Sequence, residues 1–166
     1  MRWPWSSPAP HLADAQADAL LQDLLSRDGA RVTDAARTVA RLFTATSLEA
    51  LAAHVDRIEQ RCQGIVLGGM LISNQAHLKA ALHRLRYWHA REGCLCALNP
   101  GYPFFDPRRL LEQGQVRLLS VEEAEGGWGD CHTVACTQCT QHWQAVDREY
   151  HYPWWEWTAL TAASCR

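Results

Sequence analysis

Apolar residues recur along the first half of the chain at helical intervals. Ala17, Leu20, Leu21, Leu24 and Leu25 form one stripe at three- and four-residue steps, which predicts an amphipathic helix opening near His11. Asp28-Gly29 is expected to close it, because glycine takes the left-handed turn past a helix end at least cost. Val32, Ala35 or Ala36, Val39 and Phe43 predict a second helix. Thr46-Ser47-Leu48-Glu49 has capping-box spacing and is expected to open a third, carrying Leu48, Leu51, Ala52, Val55 and Ile58. A fourth starts at Ser73 or Asn74 and turns Leu78, Ala81, Leu82, Leu85 and Trp88 inward, leaving Lys79, His83 and Arg86 outside as a solvated basic face, with a binding surface as the alternative. Between them, residues 65–72 hold β-branched side chains that suit a buried strand and paired glycines that suit a buried loop.

The pattern changes at Gly93. Asn99-Pro100-Gly101-Tyr102-Pro103 is turn chemistry, and Asp106-Pro107 predicts a short helix through Leu111. Residues 116–121 read as a strand, and 133–136 with 143–146 as two short strands of a hairpin that carries Cys136-Thr137-Gln138-Cys139 at its tip. The expected architecture is α+β. Residues 1–10 form a loose tail, with Trp3 and Trp5 able to dock. Residues 11–92 form a helical part of about four helices, packed on a small antiparallel β part in 93–166.

Composition changes this picture little. A chain of 166 residues with 48% hydrophobic and 20% charged residues is an ordinary globular one. Charge distribution says more: residues 1–92 carry 11 Lys/Arg against 9 Asp/Glu, and residues 93–166 carry 5 against 9. An acidic β part is poorly suited to gripping phosphates, so nucleic acid is not the expected partner. Residues 64–72 are the longest low-charge apolar run, far short of the roughly 20 that cross a bilayer. Seven cysteines with no secretory signal at the start point to a reducing compartment, so a soluble cytoplasmic protein is expected.

Two cysteine pairs supply the chemistry. Cys94-Leu95-Cys96 and Cys136-Thr137-Gln138-Cys139 are separated by 39 residues, and each pair can present two thiolates from one tight turn. One tetrahedral zinc held by Cys94, Cys96, Cys136 and Cys139 is the expectation. Cys131, His132 and His142 are near enough in sequence to replace one ligand, while Cys62 and Cys165 are expected to be bystanders. Buried cysteines acting as small apolar residues are the plainer alternative.

With these residues in view, positions 93–157 resemble the zinc-ribbon proteins, in which two cysteine turns on β-hairpins share one ion. The resemblance implies a structural four-cysteine site at Cys94, Cys96, Cys136 and Cys139. Two departures stand out. The first turn is Cys-x-Cys, and Thr140 follows Cys139 where glycine is common, which would strain a left-handed backbone. The wider layout of helical front, ribbon and Tyr150-His151-Tyr152-Pro153-Trp154-Trp155-Glu156-Trp157 tail resembles small bacterial proteins of unassigned function, some of them similar to immunity proteins of toxin systems.

Five of the eight tryptophans fall between Trp128 and Trp157. Large rings can close the core of a small metal domain, and an exposed one can anchor a protein partner, for which Trp154, Trp155 and Trp157 are the candidates. No catalytic pattern competes. His-Glu-x-x-His is absent, His132-Thr133-Val134 lacks the glutamate of a deaminase signature, and four cysteines leave zinc no open position. The expected function is non-catalytic: a protein-binding module, most naturally an immunity-type protein that caps a toxin. A regulatory protein contacting nucleic acid is the first alternative, and a thiol redox or hydrolytic enzyme the second.

Overall fold

The computed structural model of the protein describes residues 10–70, 73–126, 129–148 and 153–161. Trp3, Trp5, Trp128, Cys165 and the Tyr150-His151-Tyr152 alternation lie outside the described residues. The chain divides into two compact units, 1–92 and 93–166, the first helical and the second built on an antiparallel sheet. The fold is thus an α+β mix. No helix among the described residues is long and apolar enough to cross a membrane.

Among the described residues of the first unit there are five helices: α1 (Ala15–Leu25), α2 (Gly29–Ala40), α3 (Ala45–Ala52), α4 (Val55–Cys62) and α5 (Gln75–Ala90). Their apolar stripes meet in one core that includes Leu21, Leu24, Val32, Val39, Leu51, Ile58 and Leu85. The expected third helix is two, broken at Ala53-His54, although its apolar spacing runs straight through. The break lets α4 turn toward the open end of α1, where Arg61 Nε and Cys62 Sγ donate to the carbonyls of Leu25 and Leu24 at 3.1 and 3.4 Å. Those carbonyls belong to the last turn of α1, which has no partners of its own for them.

Both expected helix signals near these ends are placed differently. Arg27, not Gly29, takes the left-handed conformation after α1, with φ of 63°. Asp28 instead caps the start of α2, accepting from the Ala30 and Arg31 amides at 3.0 Å. Thr46-Ser47-Leu48-Glu49 is not a capping box, because α3 already begins at Ala45 with Thr44 before it. Ser47 is buried and donates to Asp14 Oδ2 at 2.9 Å, while Asp14 Oδ1 accepts from the Ala17 amide at 2.8 Å. The Ala17 amide and then the Ser47 hydroxyl hold the Asp14 carboxyl below its usual range. One carboxylate therefore ties the first turn of α1 to α3.

The segment between α4 and α5 is irregular. Leu67 is buried, whereas Val66 and Met70 stand in solvent, so residues 65–70 form a largely exposed loop. Helix α5 starts after Asn74, as its sequence implies. Its buried face carries His77 and Arg84 as well as Leu78, Ala81 and Leu85. Arg84 donates through Nε and Nη2 to the Leu42 carbonyl, just past the end of α2, at 2.9 and 2.6 Å, and its guanidinium stacks over Phe43.

The second unit begins with a 3₁₀ segment (Leu95–Gly101) and α6 (Pro107–Glu112), the latter capped by Asp106 with Pro107 in its first turn. A four-stranded antiparallel meander follows in the order β1 (Val116–Glu123), β2 (Asp130–Cys136), β3 (His142–Asp147) and β4 (Trp155–Leu160). Alternation gives it one buried face, centred on Val134, Trp143, Ala145 and Trp157. Tyr102, Phe105 and Leu110 are buried with it. Trp157 Nε1 donates to the Phe105 carbonyl at 2.8 Å, and the Trp155 amide to Pro103 at 2.7 Å, which fastens β4 to the segment between the 3₁₀ turn and α6.

Candidate metal centre

The turns that carry the cysteines are built differently. Cys94 is extended, with φ −120° and ψ 139°, and the chain then coils into the 3₁₀ segment, so Cys96 swings back toward Cys94. The Ala97 amide closes this turn on the Cys94 carbonyl at 3.0 Å. A tight 3₁₀ turn, not a hairpin, therefore supplies the first cysteine pair, and it explains how Cys-x-Cys serves where a ribbon would use a longer spacing.

The second pair sits on the β2–β3 hairpin. Cys136 ends β2, its amide donating to Gln141 at 2.9 Å, and the Thr140 amide donates to the Cys136 carbonyl at 3.1 Å. Thr140 is left-handed, with φ of 60°. That conformation costs a β-branched residue on the order of 1–2 kcal/mol. What it secures is the direction of the next peptide. The Gln141 N–H points at Cys139, and that contact is the main reason the Cys139 thiol is lowered to about 7. The far side of the turn is fixed by Thr137, whose amide and hydroxyl donate to the chain at Gly114 and Gln115.

These turns bring the four sulfurs of Cys94, Cys96, Cys136 and Cys139 within 4.8 Å of one another. Cys94 Sγ lies 3.6 Å from Cys136 Sγ, and Cys96 Sγ lies 3.5 Å from Cys139 Sγ. A tetrahedral ion with sulfur at about 2.3 Å needs edges of about 3.8 Å, so the arrangement fits one metal. Cys96 and Cys136 are buried, Cys94 is half-buried and Cys139 is exposed. Burial raises the Cys94 and Cys96 thiols, and for Cys96 the neighbouring Cys139 thiol adds to the rise. The Trp143 indole pulls Cys96 the other way, and its buried Nε1 has no partner in hydrogen-bond geometry among the described residues. An orphaned N–H beside a sulfur is the environment a thiolate ligand would use.

None of the substitute ligands joins the cluster. Cys131 pairs across the sheet with Glu122 and Val146, and His142 is an exposed residue opposite Leu160. His132 is buried on the inner face against Trp155, with ring centroids 5.2 Å apart, and neither ring nitrogen has a hydrogen-bond partner among the described residues. Burial, first, lowers its pKa. Cys62 is buried in the helical unit.

The aromatic residues are placed unequally. Trp155 and Trp157 are 4% and 6% exposed, so both rings belong to the core of the β unit, and of the three candidate anchors Trp154 alone is half-buried. For Trp155 and Trp157 the core role replaces that of an exposed anchor: alternation in β4 turns both inward, and the Phe105 carbonyl takes the Trp157 N–H. Trp143 was the residue that spacing alone did not single out. Its position in β3, opposite Val134 and three residues past the second cysteine turn, sets its indole beside the cluster.

Four cysteines in one cluster are positioned to hold a metal ion. No family model, curated protein or solved structure matches this chain.

Proposed function

We propose that this is a non-catalytic protein-binding protein whose β unit is clamped by one structural zinc on Cys94, Cys96, Cys136 and Cys139. The convergence of four sulfurs within 4.8 Å carries the metal reading. Sulfur-only tetrahedral coordination suits zinc, and four thiolates leave no position for a substrate. The β meander gains from such a clamp, because ligands 42 and 43 residues apart in the chain are drawn together. Binding and folding would then be one event for residues 93–166.

The partner reading is supported by the acidic balance of residues 93–166 and by Trp154, which is half-buried beside the fastened β4. An acidic surface with an aromatic anchor suits a basic protein, since complementary charge speeds encounter. An immunity-type role against a toxin is the specific form of this reading, and it rests on the resemblance in layout.

Elemental analysis of protein purified without chelator should find about one zinc per chain. Chelation should melt the sheet signals before the helical ones, and Cys136→Ser should do the same. Metal-free protein whose melting is indifferent to Cys136→Ser would overturn the metal reading. For the partner, Trp154→Ala should stay folded and metal-bound yet lose any basic protein that co-purifies with the wild type. Retention of that protein by Trp154→Ala would overturn the anchor.

A further inference from the structure

Strand β1 lies at one edge of the sheet, and its outer side has no hydrogen-bonded neighbour among the described residues. An open edge is a template for another strand, and proteins blunt it with bulges, with edge charges or with charges at inward-pointing positions. The inward positions here are apolar. Leu118 pairs with Val134 and Val121 with His132, both of which are buried on the inner face. Leu118, Leu119 and Val121 are nevertheless 40%, 38% and 47% exposed. The apolar face of the sheet thus continues past its cover at β1.

The strand also contains a bulge. The register moves from Leu118 opposite Val134 to Ser120 opposite Thr133, which leaves Leu119 as an extra residue. Beyond it the alternation is reversed. Leu118 and Val121 therefore share the inner face although three positions apart, and Arg117 and Glu122, opposite Ala135 and Cys131, share the outer one.

We propose that this edge binds a second copy of the chain, β1 pairing antiparallel with β1 about a two-fold axis between Leu119 and Ser120. In that register Leu118 of each molecule lies opposite Val121 of the other, and Arg117 opposite Glu122. Residues directly opposite in an antiparallel pair must share a face. Leu118 with Val121, and Arg117 with Glu122, meet that condition only because of the bulge. In an unbulged strand the odd spacing would set each pair on opposite faces. Two apolar contacts on one face and two cation–anion contacts on the other are repeated by the symmetry, as an isologous interface requires. The two four-stranded sheets become one continuous eight-stranded sheet.

The experiment is sedimentation equilibrium on the full, metal-loaded chain over a wide concentration range, with circular dichroism confirming each variant's fold. The wild type should reach twice its 18.7 kDa mass. Leu118→Lys, at an exposed position, should return it to the monomer. Arg117→Glu and Glu122→Arg should each weaken the dimer about tenfold or more, since two attractive pairs become repulsive. The double variant Arg117→Glu/Glu122→Arg restores opposite charges in this register alone and should recover the wild-type affinity. A wild type that stays monomeric at about millimolar concentration overturns the proposal. So does a dimer indifferent to Leu118→Lys, or one that the double charge swap fails to restore.

Discussion

Mild acidification should destabilise the helical unit through His77. It is 5% exposed on the buried face of α5. Burial, joined by the positive charges of Arg37 and Arg41 on and beside α2, lowers its pKa from 6.5 to about 4. In the unfolded chain the same imidazole takes a proton near 6.5, so between that pH and about 4 the unfolded state binds a proton that the native state refuses. Stability is fully present above pH 6.5 and is lost as the pH falls toward 4, where the loss levels off. At about 1.4 kcal/mol per pH unit the window holds about 3 to 4 kcal/mol. Urea unfolding followed by helical circular dichroism at several pH values would measure it, with His77→Gln as the control that cannot titrate. The wild-type stability relative to the variant's should fall by about 3 to 4 kcal/mol across this window. His132 bends stability in the same direction in the β unit and is common to both proteins, so it cancels in the difference. Parallel curves for wild type and His77→Gln would refute the argument.

Two further outcomes are expected. Gly129 sits at φ 79°, and a methyl there would meet the Asp147 carbonyl oxygen at 2.8 Å, so Gly129→Ala should lower the stability of the sheet by more than about 2 kcal/mol in thermal melting. An unchanged melting temperature would show that the β1–β2 connection yields freely. Cys62→Ser should leave the metal content intact, because the Cys62 thiol is committed to the Leu24 carbonyl and burial pushes its pKa up to about 11. Loss of metal on elemental analysis of that variant would contradict the cluster assigned above.

Much of the fold was legible because it is local. The stripe from Ala17 to Leu25 and the Asp106-Pro107 start both act within a few residues of themselves. So do the alternating strands around Cys136, and the cysteine turns are local enough for their spacing to show. What escaped depends on distant atoms. Asp28-Gly29 suits a helix end and a helix start equally, and the nearby left-handed Arg27 settles the choice. Ser47 looks like a cap until Asp14, 33 residues earlier, takes its hydroxyl. His77 and Arg84 look like solvated polar residues on α5, yet both are buried, and Arg84 is held there by the Leu42 carbonyl 42 residues away. Trp155 and Trp157 could be told from anchors only by knowing which face of β4 meets Phe105. The bulge at Leu119 has no signature in Leu118-Leu119-Ser120, since it appears only against β2.

The bond from Arg84 to Leu42 spans 42 residues and has a consequence during synthesis. Translation proceeds at about 5–20 residues per second, so α2 is out for roughly 2–8 seconds before the guanidinium that completes its end exists. Helix α5 is also the element α2 packs against most extensively. A nascent or truncated chain that stops short of α5 thus presents an uncovered face on α2 and a carbonyl served only by water. Chaperones that recognise exposed apolar surface should hold such chains and release them once Arg84 has emerged, so the last helix of the unit, and not the first, decides when the domain leaves the ribosome's care.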